Sequence, residues 1–278
     1  MTTTNIQCRL AARPAEMLKA SDWTIVEEPR PVAAEGHFVV HVDYLSIDPA
    51  MRTWMNAGRS YVPPVEIGEV MRALGVGHVV ESQHPRFAVG DDVSGIFGVQ
   101  RYAVSDGTEV NKIDTALAPA PVYLSALGIS GLTAYFGLLD VGRPEPGQTV
   151  LVSAAAGSVG SIVGQIARIK GCRAVGIAGS ADKCKYVVEE LGFDACINYK
   201  TDDLVPALKA ACPSGVDIYF ENVGGAVFAA ILRVINKGAR IPLCGMISEY
   251  NATQHAPGPN LRPLLVNRAT VTGFIVSD

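Results

Sequence analysis

The clearest hydrophobic pattern along the chain is a short apolar run that gives way to a helical repeat. Residues 150–152 (VLV) are consecutive apolar residues, as expected of a strand buried on both faces. Residues 153–157 are small and interrupt the run, and Lys170 and Gly171 end the repeat that follows. The apolar positions of that repeat are Val159, Ile162, Val163, Ile166 and Ile169. The pattern predicts a buried strand, a tight turn and an amphipathic helix.

The same alternation of strand and helix patterns continues to the end of the chain. Further strands are predicted over 173–178, 195–197, 216–220, 239–244 and 270–276, and helices over 181–191, 202–211 and 225–236. Strands that alternate with helices in this way predict an α/β domain with a doubly wound parallel sheet. Ligands of such sheets bind at the carboxyl ends of the strands.

Residues 1–122 have a different pattern, in which Pro, Gly and Asp separate short strands. The predicted strands are 22–28, 37–46, 69–81 and 92–97, which favours a compact barrel-like β domain. A helical pattern over 128–139 and a turn over 143–147 then lead into the strand at 149–153. We therefore predict two domains, 1–122 and 123–278.

Composition narrows the classes of function. Of the 278 residues, 49% are hydrophobic and 18% are charged, which suits a globular protein with large buried cores. The net charge of −4 and the lack of a basic run give no electrostatic basis for binding nucleic acid. No apolar segment reaches membrane-spanning length and residues 1–10 lack the features of a signal peptide, so we expect a cytoplasmic protein. The six cysteines have no metal-binding spacing and are predicted to be free, mostly buried thiols.

The turn at residues 154–160 has the pattern AxxGxxG, formed by Ala154, Gly157 and Gly160. Small residues between a buried strand and a helix let backbone N–H groups approach a diphosphate at the positive end of the helix. Gly and Ala also cluster where a helix packs closely on a sheet, so the motif alone leaves both interpretations open. Its position after a strand and before a helix, with further strand–helix units behind it, favours a dinucleotide site.

The end of the second strand of this domain indicates which dinucleotide binds. NAD sites usually carry an acidic residue there, about twenty residues past the glycines, to bind the ribose hydroxyls. Here the segment 176–180 (GIAGS) is uncharged and the first acid is Asp182. Lys183, early in the next helix, is placed to bind a 2′-phosphate, although an ordinary solvated lysine is the alternative interpretation. We predict NADP(H) as the cofactor.

Several segments in a fixed order resemble the zinc-independent branch of the medium-chain dehydrogenase/reductase superfamily. Within that branch, the chain is similar to the NADPH-dependent alkenal/one reductases, which include prostaglandin and curcumin reductases. The segments extend over almost the whole chain and are SIDPAMR (46–52), GEVMRALGVGHVVES (68–82), GLTAYFGLLDVG (131–142), AAAGSVGSIVGQIARIKGC (154–172), YFENVGG (219–225) and CGMISEYN (244–251).

The resemblance implies a GroES-like β-barrel domain followed by a Rossmann domain that binds NADP(H). It also implies a role for individual residues along the cofactor. The implied cofactor residues are Gly157, Ser158, Val159 and Gly160 at the diphosphate, Gly179, Lys183 and Tyr199 at the adenosine phosphate, Asn222 at the ribose, and Cys244, Gly245, Ile247, Ser248, Tyr250, Phe274, Ile275 and Val276 beside the nicotinamide.

The activity implied by the resemblance is reduction of the double bond of an α,β-unsaturated aldehyde or ketone, a small-molecule substrate. Hydride delivery to the β carbon leaves an enolate, which needs a hydrogen-bond donor and then a proton. Tyr250, in the loop after the fifth strand, is the candidate catalytic residue, and a packing aromatic with a solvated hydroxyl is the alternative. Quinone reduction on the same scaffold and a non-catalytic NADPH-binding protein are the competing hypotheses.

The loop after the second predicted strand is a candidate wall of the substrate pocket. Its large side chains are Met51, Arg52, Trp54 and Tyr61. A loop that fills the interior of its own barrel explains the same residues, and composition does not separate the two interpretations.

Two departures from the superfamily change these expectations. Zinc-dependent relatives have a Gly-His-Glu segment where this chain has Gly68, Glu69 and Val70, so we expect no catalytic metal. Similar proteins continue beyond the position of Asp278 with a segment that returns to the barrel, so we expect the first domain to lack it.

Edge pairing through the last strand predicts a homodimer. We interpret the histidines as structural or surface residues; they are His37, His41, His78, His84 and His255.

Overall fold

The computed structural model describes residues 3–254 and 257–278, so His255 lies outside the described residues. The chain divides into two units, Met1–Gly128 and Ile129–Asp278. The sequence placed the boundary between residues 122 and 123, shortly before this division. Among the described residues, no helix has both the length and the apolar character needed to cross a membrane.

The first unit is built from two antiparallel sheets. The smaller sheet pairs β1 (Thr4–Leu10) with β2 (Trp23–Pro29). The larger sheet contains β3 (Phe38–Leu45), β4 (Leu74–Ser82), β5 (Asp92–Ile96), β6 (Tyr102–Ser105) and β7 (Asn111–Lys112), in the order β6–β3–β4–β5–β7. Other short elements of this unit are helix α1 (Ala50–Trp54) and the 3₁₀ turns Ala20–Asp22 and Ala120–Leu124.

The hydrophobic pattern does not predict β1, because polar residues occupy two of its three buried positions. Asn5 and Gln7 are only 3% and 8% exposed. The Asn5 side chain donates to the carbonyl oxygen of Tyr102 at 3.0 Å and accepts the Tyr102 N–H at 2.8 Å. The Asn5 amide thus pairs with the backbone of Tyr102 as a neighbouring strand would. A search for hydrophobic periodicity does not detect a buried polar residue of this kind.

The second unit contains a six-stranded parallel sheet. Its strands are β8 (Thr149–Ser153), β9 (Arg173–Ala178), β10 (Ala195–Asn198), β11 (Val216–Phe220), β12 (Ile235–Leu243) and β13 (Thr270–Gly273). Its helices are α2 (Ile129–Phe136), α3 (Ser158–Ile169), α4 (Ala181–Glu189), α5 (Leu204–Ala211), α6 (Gly225–Ile231) and α7 (Arg262–Asn267), with a π-helical turn over Gly137–Gly142 and a 3₁₀ turn over Ile247–Glu249. The order β10–β9–β8–β11–β12–β13 reverses between β8 and β11, which confirms the predicted doubly wound sheet.

Several boundaries in this unit differ from the predictions. The helix predicted over 225–236 ends at Ile231, because the Val234 N–H donates to the Ile231 carbonyl at 2.9 Å and closes a turn. β12 then begins at Ile235 and bulges opposite β11, where Gly238 has a φ of 76°. β13 ends at Gly273 rather than at residue 276. Helix α7 is not predicted by the pattern.

Glycines set how closely α3 and the turn before it approach their neighbours. A Cβ added to Gly164 would lie 1.8 Å from Cζ of Phe193, whose side chain is 2% exposed. A Cβ added to Gly176 in β9 would lie 2.7 Å from Cβ of Ala155. Larger residues at these positions have no space to occupy unless the backbone moves.

The substitution Gly164→Ala is expected to lower the free energy of unfolding by roughly 1–3 kcal/mol, because the added methyl overlaps a buried aromatic ring. Urea unfolding followed by circular dichroism measures this change. Gly273→Ala is the control, since no atom lies within 4 Å of its added Cβ. Equal stability of Gly164→Ala and the wild type would contradict the close packing.

Candidate active site

The turn between β8 and α3 is held in a fixed and uncommon conformation. Ala154 has a φ of 52°, in the left-handed region that residues with a side chain rarely adopt. The Ala155 N–H donates to the Ile177 carbonyl at 3.0 Å, and the Gly157 N–H donates to the Ala154 carbonyl at 2.8 Å. The chain therefore leaves the carboxyl end of β8 in a tight turn and enters the helix at Ser158.

Gly160 lets the helix lie against this turn. A Cβ added to Gly160 would be 2.4 Å from the Ala154 carbonyl oxygen. The Ser161 N–H donates to the Gly157 carbonyl at 3.0 Å, and the amides of residues 158–160 have no acceptor within the helix. Gly160 therefore allows α3 to pack closely on the turn, and the N–H groups at the start of the helix lie at the carboxyl edge of the sheet.

A second group of candidate residues lies at the carboxyl ends of β9 and β10. The Tyr199 N–H donates to the Ala178 carbonyl at 3.1 Å, and a Cβ added to Gly179 would lie 3.0 Å from the Tyr199 ring. The Ser180 hydroxyl accepts the Lys183 N–H at 3.3 Å and caps α4. The Lys183 side chain is exposed and forms no ion pair with any described residue. The structure thus packs Tyr199 against Gly179 and places Lys183 in the first turn of the helix that follows.

The loops after β11 and β12 are tied to each other and to the end of β8. The Asn222 side chain donates to the carbonyl of Ser153, the last residue of β8, at 2.8 Å. The loop after β12 donates backbone N–H groups to the loop after β11, from Cys244 and Gly245 to the Glu221 carbonyl (2.9 and 3.1 Å), from Ile247 to the Asn222 carbonyl (3.1 Å) and from Ser248 to the Val223 carbonyl (3.0 Å). These bonds fix several of the predicted nicotinamide-side residues at one edge of the sheet.

A buried carboxylate holds the first of these loops. Glu221 is 0% exposed, and its Oε1 accepts the N–H groups of Val223 and, at 2.9 Å, Gly224. The same oxygen accepts the Ser153 hydroxyl at 3.1 Å, and the Ser153 oxygen accepts the Asn222 N–H at 2.8 Å. Burial raises the pKa of Glu221 above its ordinary value, although these hydrogen bonds favour the charged form. Sequence reasoning missed Ser153 and Glu221, and the available signal was an acid directly after the apolar strand residues 218–220.

Two groups near this carboxylate are kept protonated. Burial, followed by the Glu221 charge, raises the pKa of the Cys244 thiol to about 12. The Tyr219 hydroxyl is buried beside Glu221, and burial, followed by the Glu221 charge, raises its pKa as well. Neither group is a base or a nucleophile near neutral pH.

The Tyr250 hydroxyl lies against the backbone of the loop after β12. It accepts the Met246 N–H at 3.3 Å, and a Cβ added to Gly245 would lie 3.0 Å from it. In the bond from Met246 the hydroxyl oxygen is the acceptor and uses one of its lone pairs. Tyr250 is thus placed at the carboxyl edge of the sheet, among the loops already described.

Phe274, Ile275 and Val276 follow the last strand and are half-buried. The Phe274 ring meets Phe220 edge-on, with centroids 6.2 Å apart. A Cβ added to Gly137 would lie 2.3 Å from Cζ of Phe274. Packing therefore anchors this segment at the carboxyl end of β13.

Two of the four pocket candidates in the first unit are buried. Met51 and Arg52 are each 8% exposed, and Met51 packs in the core beside Met55. The Arg52 guanidinium donates to the carbonyls of Pro14 and Glu16, both at 3.1 Å. These two residues fill and brace the interior of their unit, as the alternative interpretation of the loop describes.

The other two pocket candidates form an aromatic pair at the surface. The Trp54 Nε1–H donates to the Tyr61 hydroxyl at 2.9 Å, and Tyr61 is 52% exposed. The Arg72 guanidinium lies 5.6 Å from the centre of the Trp54 ring. A flat, partly exposed aromatic surface of this kind suits contact with a planar conjugated molecule.

Two family models match the chain. One, described as the N-terminal domain of oxidoreductase, matches residues 7–113, and one described as zinc-binding dehydrogenase matches residues 158–278.

Among curated relatives, the NADPH-dependent curcumin reductase of Escherichia coli (strain K12) is 45% identical over 274 residues, covering 97% of this chain and 79% of the relative. The 2-alkenal reductase (NADP(+)-dependent) of Nicotiana tabacum is 43% identical over 238 residues, 84% of this chain and 69% of the relative. Prostaglandin reductase 1 of Oryctolagus cuniculus is 40% identical over 260 residues, 92% of this chain and 72% of the relative.

Solved structures show the same relationship. CurA from Vibrio vulnificus in complex with NADPH has a TM-score of 0.93 and 44% identity, covering 98% of this chain and 82% of that chain. Escherichia coli quinone oxidoreductase complexed with NADPH has a TM-score of 0.75 and 23% identity, covering 99% of this chain and 81% of that chain. The second similarity shows the fold alone.

The substitution Glu221→Gln is expected to change how stability depends on pH. Because the folded-state pKa of Glu221 lies above its ordinary value of 4.5, the wild type loses free energy of unfolding as the pH rises from 4.5 through the folded-state pKa. Gln carries no charge, so the free energy of unfolding of the wild type minus that of the variant should fall across this window. Urea unfolding from about pH 4 to about pH 8 measures the difference.

Glu190→Gln, which removes an exposed acid at the end of α4, is the control. A difference between wild type and Glu221→Gln that stays constant or increases with pH would contradict the raised pKa of Glu221.

Proposed function

The chain belongs to the medium-chain dehydrogenase/reductase superfamily, among its NADPH-dependent curcumin, prostaglandin and alkenal reductases, and we propose that it reduces the carbon–carbon double bond of α,β-unsaturated aldehydes and ketones. The observation that carries this proposal is the Tyr250 hydroxyl, a neutral donor fixed by the Met246 amide at the carboxyl end of β12. The relative named 2-alkenal reductase supports the substrate class.

The strand ends of the second unit fit the diphosphate of NADPH. Gly160 lets α3 approach the Ala154 carbonyl closely, and the first amides of this helix have no acceptor within it, which suits an anion. Bound NADPH supplies the hydride for the β carbon of the substrate. We propose that Gly157, Ser158, Val159 and Gly160 bind the diphosphate, that Asn222 binds at the ribose, and that Cys244, Gly245, Ile247, Ser248, Phe274, Ile275 and Val276 lie beside the nicotinamide.

Lys183 and Tyr199 form the proposed site for the 2′-phosphate end. The Lys183 side chain is exposed and no described carboxylate neutralises it, while Tyr199 packs against Gly179 at the neighbouring strand end. A charge-assisted hydrogen bond from this lysine to a phosphate is the physical basis of the preference for NADPH over NADH.

Tyr250 is the proposed donor to the carbonyl oxygen of the substrate. Negative charge develops on that oxygen as the double bond is reduced, and a neutral donor strengthens its hydrogen bond as the charge grows. The Glu221 oxygen already accepts backbone amides and the Cys244 thiol has a pKa of about 12, which supports the proposal of Tyr250 as the donor in this loop. Tyr250 also supplies or relays the proton that the α carbon takes up.

The exposed aromatic pair Trp54 and Tyr61 is the proposed substrate contact of the first unit. Met51 and Arg52 are left out of the proposed contact because their side chains are buried in the unit. A conjugated acceptor offers these rings a flat face, whereas a saturated ketone does not.

An acceptor panel tests the function directly. A β-substituted enone, its saturated ketone and a quinone are each incubated with NADPH labelled with deuterium at the transferred position, and products are analysed by NMR. We expect the enone alone to be reduced rapidly, with the label at its β carbon. Reduction of the quinone alone, or NADPH binding without oxidation by any acceptor, would contradict the proposal.

The substitution Lys183→Ala is expected to lower the ratio of kcat/KM for NADPH to kcat/KM for NADH. The loss of one charge-assisted hydrogen bond, worth roughly 1.5–3 kcal/mol, corresponds to a fall of roughly 10- to 100-fold in that ratio. Lys185→Ala is the matched control on the same helix, where the ammonium lies 3.8 Å from Glu189. An unchanged ratio in Lys183→Ala would identify Lys183 as an ordinary surface lysine.

The substitution Tyr250→Phe is expected to lower kcat roughly 100-fold, because the developing oxyanion loses its donor. The dissociation constant for NADPH should stay within about twofold of the wild type, since the ring is retained. Steady-state kinetics and NADPH fluorescence titration measure the two quantities. Tyr186→Phe, at a half-exposed tyrosine on α4, is the control. Turnover by Tyr250→Phe at the wild-type rate would remove Tyr250 from the mechanism.

A further inference from the structure

Two histidines face each other across neighbouring strands of the first unit. His41 in β3 and His78 in β4 are direct partners in the antiparallel pairing, and their ring centroids are 5.2 Å apart. The backbones are close at this point, since a Cβ added to Gly77 would lie 2.0 Å from the His41 carbonyl oxygen. The sheet therefore holds the two imidazoles at a fixed separation on one face.

A carboxylate joins the two rings. The pairing register shifts between Val42 and Tyr44, so Asp43 lies in a bulge of β3. Its Oδ1 lies 2.9 Å from Nδ1 of His41, and its Oδ2 lies 2.9 Å from Nδ1 of His78. One potential ligand atom from each residue falls within 4.8 Å of the others.

The cluster is both supported and accessible. The His41 ring packs edge-on against Tyr102, with centroids 5.1 Å apart, and Tyr102 is 1% exposed. The side chains of His41, Asp43 and His78 are 33%, 36% and 38% exposed, so water and ions reach them. Buried packing on one side and solvent on the other are typical of a site whose ligands are pre-arranged and whose remaining positions are open to water.

We propose that His41, Asp43 and His78 bind a divalent transition-metal ion of the zinc class. Two imidazole nitrogens and one carboxylate oxygen are ligands that Zn²⁺ accepts, and water completes its coordination. Each imidazole would bind the ion through a ring nitrogen that carries no proton, and the Asp43 carboxylate would supply the oxygen ligand. None of the three residues belongs to the proposed cofactor or substrate site, so the ion has a structural role, joining β3 to β4.

Equilibrium dialysis of the chelator-treated chain against Zn²⁺ tests the proposal. We expect one Zn²⁺ per chain, and affinity at least roughly tenfold weaker in His78→Asn and in Asp43→Asn. His37→Asn is the matched control, because His37 precedes the same strand and its ring Nδ1 lies 3.0 Å from the Glu35 carbonyl oxygen, outside the cluster. Zn²⁺ should raise the Tm of the wild type and of His37→Asn, but not that of His78→Asn.

A spectrum of the Co²⁺-substituted chain identifies the ligand type. Nitrogen and oxygen ligands give weak visible bands without the intense near-ultraviolet band of a cobalt–thiolate bond. Absence of bound Zn²⁺ at a free concentration of about 100 µM would overturn the proposal. Unchanged binding in both ligand variants, or a thiolate band, would also overturn it by placing the ion at cysteines.

Discussion

The geometry of the second unit depends on one close approach, that of α3 to the turn after β8. Gly160 lies where a Cβ would be 2.4 Å from the Ala154 carbonyl oxygen, and Ala154 itself is held at a φ of 52°. Glycine is required at position 160, because any side chain there would meet a backbone oxygen and push the helix away from the strand end. The contact keeps the first amides of α3 at the carboxyl edge of the sheet, where the strand order reverses and dinucleotides bind in this fold.

The chemistry is organised by a second constraint at the same edge. Glu221 is buried, and it orders the loop after β11 by accepting backbone N–H groups and the Ser153 hydroxyl. That loop in turn accepts the backbone N–H groups of the loop that carries Tyr250. Through these hydrogen bonds the buried carboxylate positions the loop of the proposed proton donor. Burial of this carboxyl group raises its pKa, because removal from solvent disfavours the charged form.

The sequence predicts the strands and helices whose apolar residues repeat regularly, but it does not predict the buried polar residues or the contacts made by strand pairing. The buried strand, small-residue turn and amphipathic helix at 150–169 follow from periodicity alone, because both elements bury apolar side chains in a repeating way. Hydrophobic periodicity does not predict strand β1 or the burial of Arg52. Asn5 and Arg52 are polar residues whose side chains are buried and form hydrogen bonds to backbone groups distant in the chain. Motif spacing does not predict the cluster of His41, Asp43 and His78 either. Strand pairing, with a bulge at Asp43, brings together residues that the sequence separates.

The most direct test of the account is a crystal structure of this chain with NADPH. We expect diphosphate oxygens within hydrogen-bonding distance of the amides of residues 158–160, the 2′-phosphate at Lys183 and Tyr199, and the nicotinamide beside the loop that carries Tyr250. A diphosphate bound away from the amino end of α3, with that end covered by packed side chains, would contradict the central claim.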